Sequence, residues 1–119
     1  MEVKALLARL RQDPGSIEFE HVMAVIAQHY QYTPCTFRNG RGDDYVENPA
    51  GSNEGSCKIF AFAQMHTLDQ RQTLACFGRY FRDDVLQHPG GSDHANIRIF
   101  MRNGPAGISF QGTALKRRS

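Results

Sequence analysis

One segment restricts the fold more than any other. Cys57-Lys58-Ile59-Phe60-Ala61-Phe62-Ala63-Gln64-Met65 is apolar on nearly every side when wound into a helix. A helix of that kind has to be enclosed by other elements, so the pattern predicts that it sits at the centre of the domain. Asn48-Pro49-Ala50-Gly51-Ser52-Asn53-Glu54-Gly55 before it is loop material. After it, Asp69 with Gln72 has the spacing of a reciprocal helix cap, and Thr67 with Gln70 fits equally well. A chain of 119 residues can enclose one such helix in one domain without disulfide or metal staples.

The flanking segments supply the enclosure. Val3, Leu6, Leu7 and Leu10 recur at helical spacing, and Asp13-Pro14-Gly15 stops that helix. Ser16 is placed to cap a second helix, whose stripe of Phe19, Val22, Met23, Ile26 and Tyr30 predicts an end near Tyr32. Between Thr33 and Gly55 the helical period is lost. Thr33-Pro34-Cys35-Thr36-Phe37 leans towards strand, Asn39-Gly40-Arg41-Gly42 towards turn, and Tyr45-Val46 towards a return strand. So long a connection in a small domain is often functional. Leu74, Phe77, Phe81 and Val85 form the stripe of a further helix that ends at His88-Pro89-Gly90-Gly91. Ser92 is placed to cap the last helix, with Ile97, Phe100 and Met101 inward and Asn103-Gly104-Pro105 as its stop. Ile108-Ser109-Phe110 is expected to pair with the Thr36-Phe37 region. The fold class is α+β, mainly α: about five helices packed round a central apolar helix with a small antiparallel β element, a single domain over residues 1–119.

Charge excludes some functions. The chain has 14 Lys+Arg against 12 Asp+Glu, but Lys116, Arg117 and Arg118 lie together at the end. The remainder carries 11 cations against 12 acids, so the basicity reads as a tail over 116–119. Nucleic acid is not an expected partner: Arg79 and Arg82 adjoin Asp83 and Asp84, a mixed solvated face, and three terminal charges bind phosphates only weakly. No apolar run reaches the roughly 20 residues of a membrane span. Lys4, Arg9 and Arg11 interrupt the start, which lacks the stretch of a secretory signal. Cys35, Cys57 and Cys76 are odd in number and widely spaced, as in a reduced, cytoplasmic-type protein.

Three groups of residues carry possible chemistry. In the first, Cys57 follows Gly55-Ser56 at the start of the apolar helix, beside Lys58. The helix dipole and the cation would favour a thiolate nucleophile, and the string superficially resembles the nucleophile region of papain-type proteases, with Lys58 where they have an aromatic residue. The structural alternative is a small core cysteine. In the second, His88-Pro89-Gly90-Gly91-Ser92-Asp93-His94 offers His94 as base for Cys57, with Asp93 or Asn96 to orient it. His88, Asp93 and His94 also give two imidazoles and a carboxylate for a metal, at a spacing that matches no zinc signature; plain helix entry is the simpler reading, and no metal or cofactor is expected. In the third, Gly51 to Lys58 compares poorly with a phosphate-cradling loop, because only three residues separate Gly51 from Gly55 and Lys58 is displaced. A generic anion site at the helix start would be opposed by Glu54.

Several strings together resemble the HopJ type III effector family: Val22-Met23-Ala24-Val25-Ile26, Tyr32-Thr33-Pro34, Phe37-Arg38-Asn39-Gly40 and Asn53-Glu54-Gly55-Ser56-Cys57-Lys58-Ile59-Phe60. Thr73-Leu74-Ala75-Cys76-Phe77-Gly78, Tyr80-Phe81-Arg82, Asp84-Val85-Leu86, His88-Pro89, Asp93-His94 and Asn96-Ile97-Arg98 continue the resemblance, which spans residues 17–116. Pro105 departs from it, standing where the family usually has Trp. The resemblance implies a bacterial protein delivered into host cells by a secretion apparatus, and it implies no reaction. Two functions follow as expectations. The first is binding of a protein partner, host or bacterial, with Thr33–Gly55 as contact surface and Arg38, Asn39, Asn53 and Lys58 as its residues. The second is a cysteine-dependent hydrolase or acyl transferase using Cys57, His94 and Asp93, with metal binding a minor third. The bacterial cytoplasm is the default compartment, with export only by a route that needs no cleavable signal.

Overall fold

In a computed structural model, which describes residues 1–118, the expected stripes become helix faces. Val3, Leu6 and Leu10 are the buried side of α1 (Val3–Gln12). Val22, Val25 and Ile26 are that of α2 (Phe19–His29). Ser16 does not cap α2: its hydroxyl donates to the Asp13 carbonyl at 2.8 Å and accepts from Arg9 at 2.9 Å, closing a short 3-10 turn instead. Glu18 holds the cap position, and its N–H donates to His21 Nδ1 at 3.2 Å. Helix α2 stops before the expected Tyr32, because Tyr30–Tyr32 is drawn out as strand β1.

The expected strand, turn and return strand form a hairpin, but its turn lies at Gly42-Asp43, so that Asn39, Gly40 and Arg41 belong to the first strand instead. Strands β2 (Phe37–Arg41) and β3 (Asp44–Asn48) pair antiparallel, Phe37 opposite Asn48 and Arg41 opposite Asp44. Gly40 has φ +117°, and an added Cβ there would lie 2.1 Å from the Asp44 carbonyl oxygen, so no other residue fits the hairpin at this point. Strand β4 (Ile108–Phe110) adds to the other side of β2 in the expected place, Phe37 opposite Phe110. The sheet order is β3-β2-β4, which leaves β3 at an edge. A second, two-stranded sheet joins β1 to β5 (Leu115–Arg117), with Tyr30 opposite Arg117 and Gln31 opposite Lys116. The basic terminus is therefore an ordered strand, and Arg118 N–H extends it to the His29 carbonyl at 3.0 Å. Ser119 lies outside the described residues.

Helix α3 (Glu54–Met65) buries Cys57, Ile59, Phe60, Ala61, Phe62 and Ala63. Phe60 meets Phe37, Phe77 and Phe100, at ring-centroid separations of 5.9, 5.7 and 5.0 Å. The sheet, the segment after α4 and α5 thus converge on one aromatic side chain of that helix. The single helix expected after Asp69 is broken in two. Helix α4 (Gln70–Ala75) begins with the reciprocal cap between Asp69 and Gln72, and Gly78, at φ +58°, bends the chain into a π-helical turn, Tyr80–Val85. Helix α5 (Ala95–Asn103) starts two residues later than a Ser92 cap would give, with His94 in the cap position. The fold is α+β and mainly α. No helix among the described residues is long and apolar enough to cross a membrane.

Candidate functional site

Four asparagines fix where β2, β3, α3 and α5 meet. Strand alternation sends Arg38 outward and Asn39 inward, and Asn39 is fully buried. Its amide donates to the Asn96 carbonyl at 2.9 Å and to Asn96 Oδ1 at 3.0 Å. Asn48, at the end of β3, donates to Asn96 Oδ1 at 3.2 Å and accepts from Asn96 Nδ2 at 2.9 Å. Asn53 completes the set, donating to Asn48 Oδ1 at 2.7 Å. Buried amides linked in this way pin the first turn of α5 to the hairpin.

Beside this network the first turns of α3 and α5 border one cleft of about 440 Å³. Its polar wall is Asn53, Ser56, His94 and Asn96, and its apolar wall includes Phe19, Phe77, Tyr80 and Ile97. The two cap residues, Asn53 and His94, have φ of 50° and 52°, a left-handed conformation that is strained outside glycine. Neither makes a side-chain cap, so the first-turn N–H groups of both helices lack side-chain partners at the cleft. His94 instead points Nε2 at Asp84 Oδ2, 3.0 Å away, and its ring lies 5.5 Å from that of Tyr80. Arg98 clamps the preceding loop. Its side chain is 9% exposed, and its guanidinium pairs with Asp93 Oδ1 at 2.6 Å and donates to the His88 carbonyl at 2.9 Å.

The structure divides the residues that sequence reasoning had grouped. Cys57 does not border the cleft. It is 1% exposed, its Sγ donates to the Cys35 carbonyl at 3.7 Å, and burial pushes the thiol up from its ordinary value. The activation expected from the helix dipole is thus outweighed by desolvation, and Ser56, one residue earlier, takes the place at the cleft. Asp93 serves Arg98 first, lying 3.8 Å from His94 Nε2, while Asp84 is the carboxylate that orients the imidazole. His88 is bonded through Nδ1 to the Asp84 carbonyl at 3.1 Å. Among the described residues no three His, Cys, Asp or Glu side chains are arranged to hold a metal ion, which corrects the grouping of His88, Asp93 and His94.

The four expected binding residues also separate. Asn39 is buried structure. Lys58 lies over the Tyr32 ring, 4.7 Å from its centroid, and borders no part of the cleft. Asn53 is at the cleft mouth, and Arg38 is on the outer hairpin face, 3.9 Å from the Tyr45 ring centroid. Sequence reasoning missed Asn48, Asp84 and Ser56. Asn48 was readable only as loop, and nothing in the spacing links Asp84 to a histidine ten residues on.

The family described as HopJ type III effector protein matches residues 3–115. The crystal structure of the unknown-function protein VPA0580 is 49% identical, covers 99% of this chain and 95% of its own, and superposes with a TM-score of 0.93. No curated protein matches the chain.

Proposed function

This chain belongs to the HopJ type III effector protein family, and we propose that it acts by binding a protein partner across the outer face of the β2–β3 hairpin. The observation that carries this reading is the pair formed by Arg38 and Tyr45. The Arg38 guanidinium stacks 3.9 Å from the Tyr45 ring centroid, yet Tyr45 remains 48% exposed, one of the few large apolar side chains that are. Tyrosine and arginine are the residue types that most often anchor protein interfaces, because each presents a large, rigid, amphipathic surface. Here each holds the other's rotamer before any partner arrives, which lowers the ordering cost of binding. Strand β3 is a sheet edge beside them, open to main-chain pairing with an extended segment. Membership of an effector family supports a partner in a host cell, reached by secretion without a cleavable signal.

The test is affinity capture from host and bacterial extracts with the native chain, Arg38→Ala and Tyr45→Ala, each checked for folding by circular dichroism. A partner identified with the native chain should be lost, or recovered at least about tenfold less, with Tyr45→Ala. Equal recovery with both folded variants overturns the proposal.

A further inference from the structure

The inward side of the same region carries chemistry that a docking surface does not require. We propose that the cleft is an acyl-ester hydrolase site, with Ser56 as nucleophile, His94 as general base and Asp84 as the residue that positions the imidazole. Three observations lead there. First, Ser56 and His94, from elements far apart in sequence, border one cleft of about 440 Å³. Ser56 is only partly buried, and no hydrogen bond to another described residue engages its hydroxyl. Second, the Asp84 carboxylate lies 3.0 Å from His94 Nε2. A neutral imidazole held in that way keeps its proton on Nε2 and leaves a lone pair on Nδ1, the state a base needs. Third, the polar edge adjoins an apolar wall of Phe19, Phe77, Tyr80 and Ile97, suited to the acyl part of an ester.

The chemistry balances with water as the sole co-reactant. Ser56 Oγ forms a bond to the ester carbonyl carbon while its proton passes to His94 Nδ1. The bond from that carbon to the alcohol oxygen then breaks, and the leaving alkoxide takes the proton from the imidazolium. Water next attacks the acyl carbon and gives a proton to His94. The bond to Ser56 Oγ breaks and the serine recovers that proton, so ester and water have become acid and alcohol. The uncapped N–H groups at the start of α3 lie beside Ser56 and are available to the oxyanion of each intermediate. Ser56 and His94 share no hydrogen bond in the free protein; catalytic bonds of this kind commonly close only when substrate is present.

The experiment treats the native chain with an alkyl fluorophosphonate, maps the adduct by peptide mass spectrometry, and follows hydrolysis of a short-chain 4-nitrophenyl ester. The expected result is one adduct, on Ser56, formed by folded protein and not by urea-unfolded protein. Ser56→Ala should lose both the adduct and the hydrolysis, and His94→Ala should lower kcat about 100-fold or more. Asp84→Asn should lower kcat about tenfold or more with KM unchanged, a split that mere loosening of the π-helical turn would not give. Absence of an adduct on Ser56, or hydrolysis by Ser56→Ala equal to that of the native chain, overturns the assignment.

Discussion

Asn48 and Asn96 exchange two amide hydrogen bonds, 3.2 Å in one direction and 2.9 Å in the other, across the join between the hairpin and α5. Both are buried, at 0% and 7% exposure. Their pairing, with Asn39 alongside, sets how the first turn of α5 sits against β3 and so holds His94 beside the cleft.

Asn96→Ala should therefore destabilise the fold by about 2–3 kcal/mol, since it leaves the buried Asn48 Nδ2 without its acceptor. Urea unfolding is the measurement, with the midpoint falling and the slope unchanged. Stability equal to that of the native chain would show that the amide network contributes nothing.

How much of this was readable beforehand depends on the kind of periodicity involved. The buried faces of α1 and α2 follow from side-chain spacing, as do Ile97 and Phe100 of α5, whereas Asn96, Arg98 and Ile99 are buried outside that stripe; the strand character of Ile108–Phe110 and its place beside β2 were legible too. The site required more. Ser56 and Cys57 are adjacent in sequence, but successive residues on a helix diverge by about 100°, so which of the two meets the cleft depends on how α3 is rotated in its packing. Asp84 reaches His94 only because the chain bends at Gly78 and reverses through Gly90-Gly91, a path set by tertiary contacts. Asn48 becomes part of the core only once the hairpin register is known. The basic end reads as a tail in sequence because Tyr30–Tyr32, its strand partner β1, continues the helical stripe of α2.

Acid should weaken the hold of α5 on the sheet. Asp44 receives Arg102 through two bonds, at 2.8 and 2.9 Å, and Asn103 at 2.8 Å. The guanidinium bond, with the Asn103 bond next, holds the Asp44 carboxyl down to about 2 against an ordinary 3.8. As pH falls through that interval the unfolded chain takes up the proton first, so this contribution is complete above about pH 4 and lost towards pH 2. Arg102→Ala should move the Asp44 titration, followed by carboxyl NMR, upward towards the ordinary value. An unchanged titration would assign the shift elsewhere.

Two hairpin glycines should respond very differently to alanine. At Gly40 the new Cβ would meet the Asp44 carbonyl oxygen at 2.1 Å, with Gly107 packed against the same backbone. Gly40→Ala should cost about 3 kcal/mol or more, or prevent folding. Gly42 also has positive φ, +59°, but nothing lies within 4 Å of its added Cβ, so Gly42→Ala should cost only about 1 kcal/mol. Thermal melts of the two variants make the comparison, and equal losses would contradict the hairpin geometry.

The cysteines give the sharpest separation between thiol and hydroxyl chemistry. Cys35 is partly exposed, whereas Cys57 and Cys76 are buried at 1% and 0% exposure. Burial raises the Cys57 thiol and pushes Cys76 up to about 12. Only the thiolate is alkylated at a useful rate, and only where reagent can reach it. Iodoacetamide at pH 8 should therefore label native protein once, on Cys35. Cys57 and Cys76 should react only through opening of the fold, so their rates should climb as urea approaches the unfolding midpoint while that of Cys35 changes little. Peptide mapping over a time course distinguishes the three. Rapid labelling of Cys57 in native protein would mean that its sulfur reaches solvent as a thiolate, which would return that residue to the centre of any catalytic account.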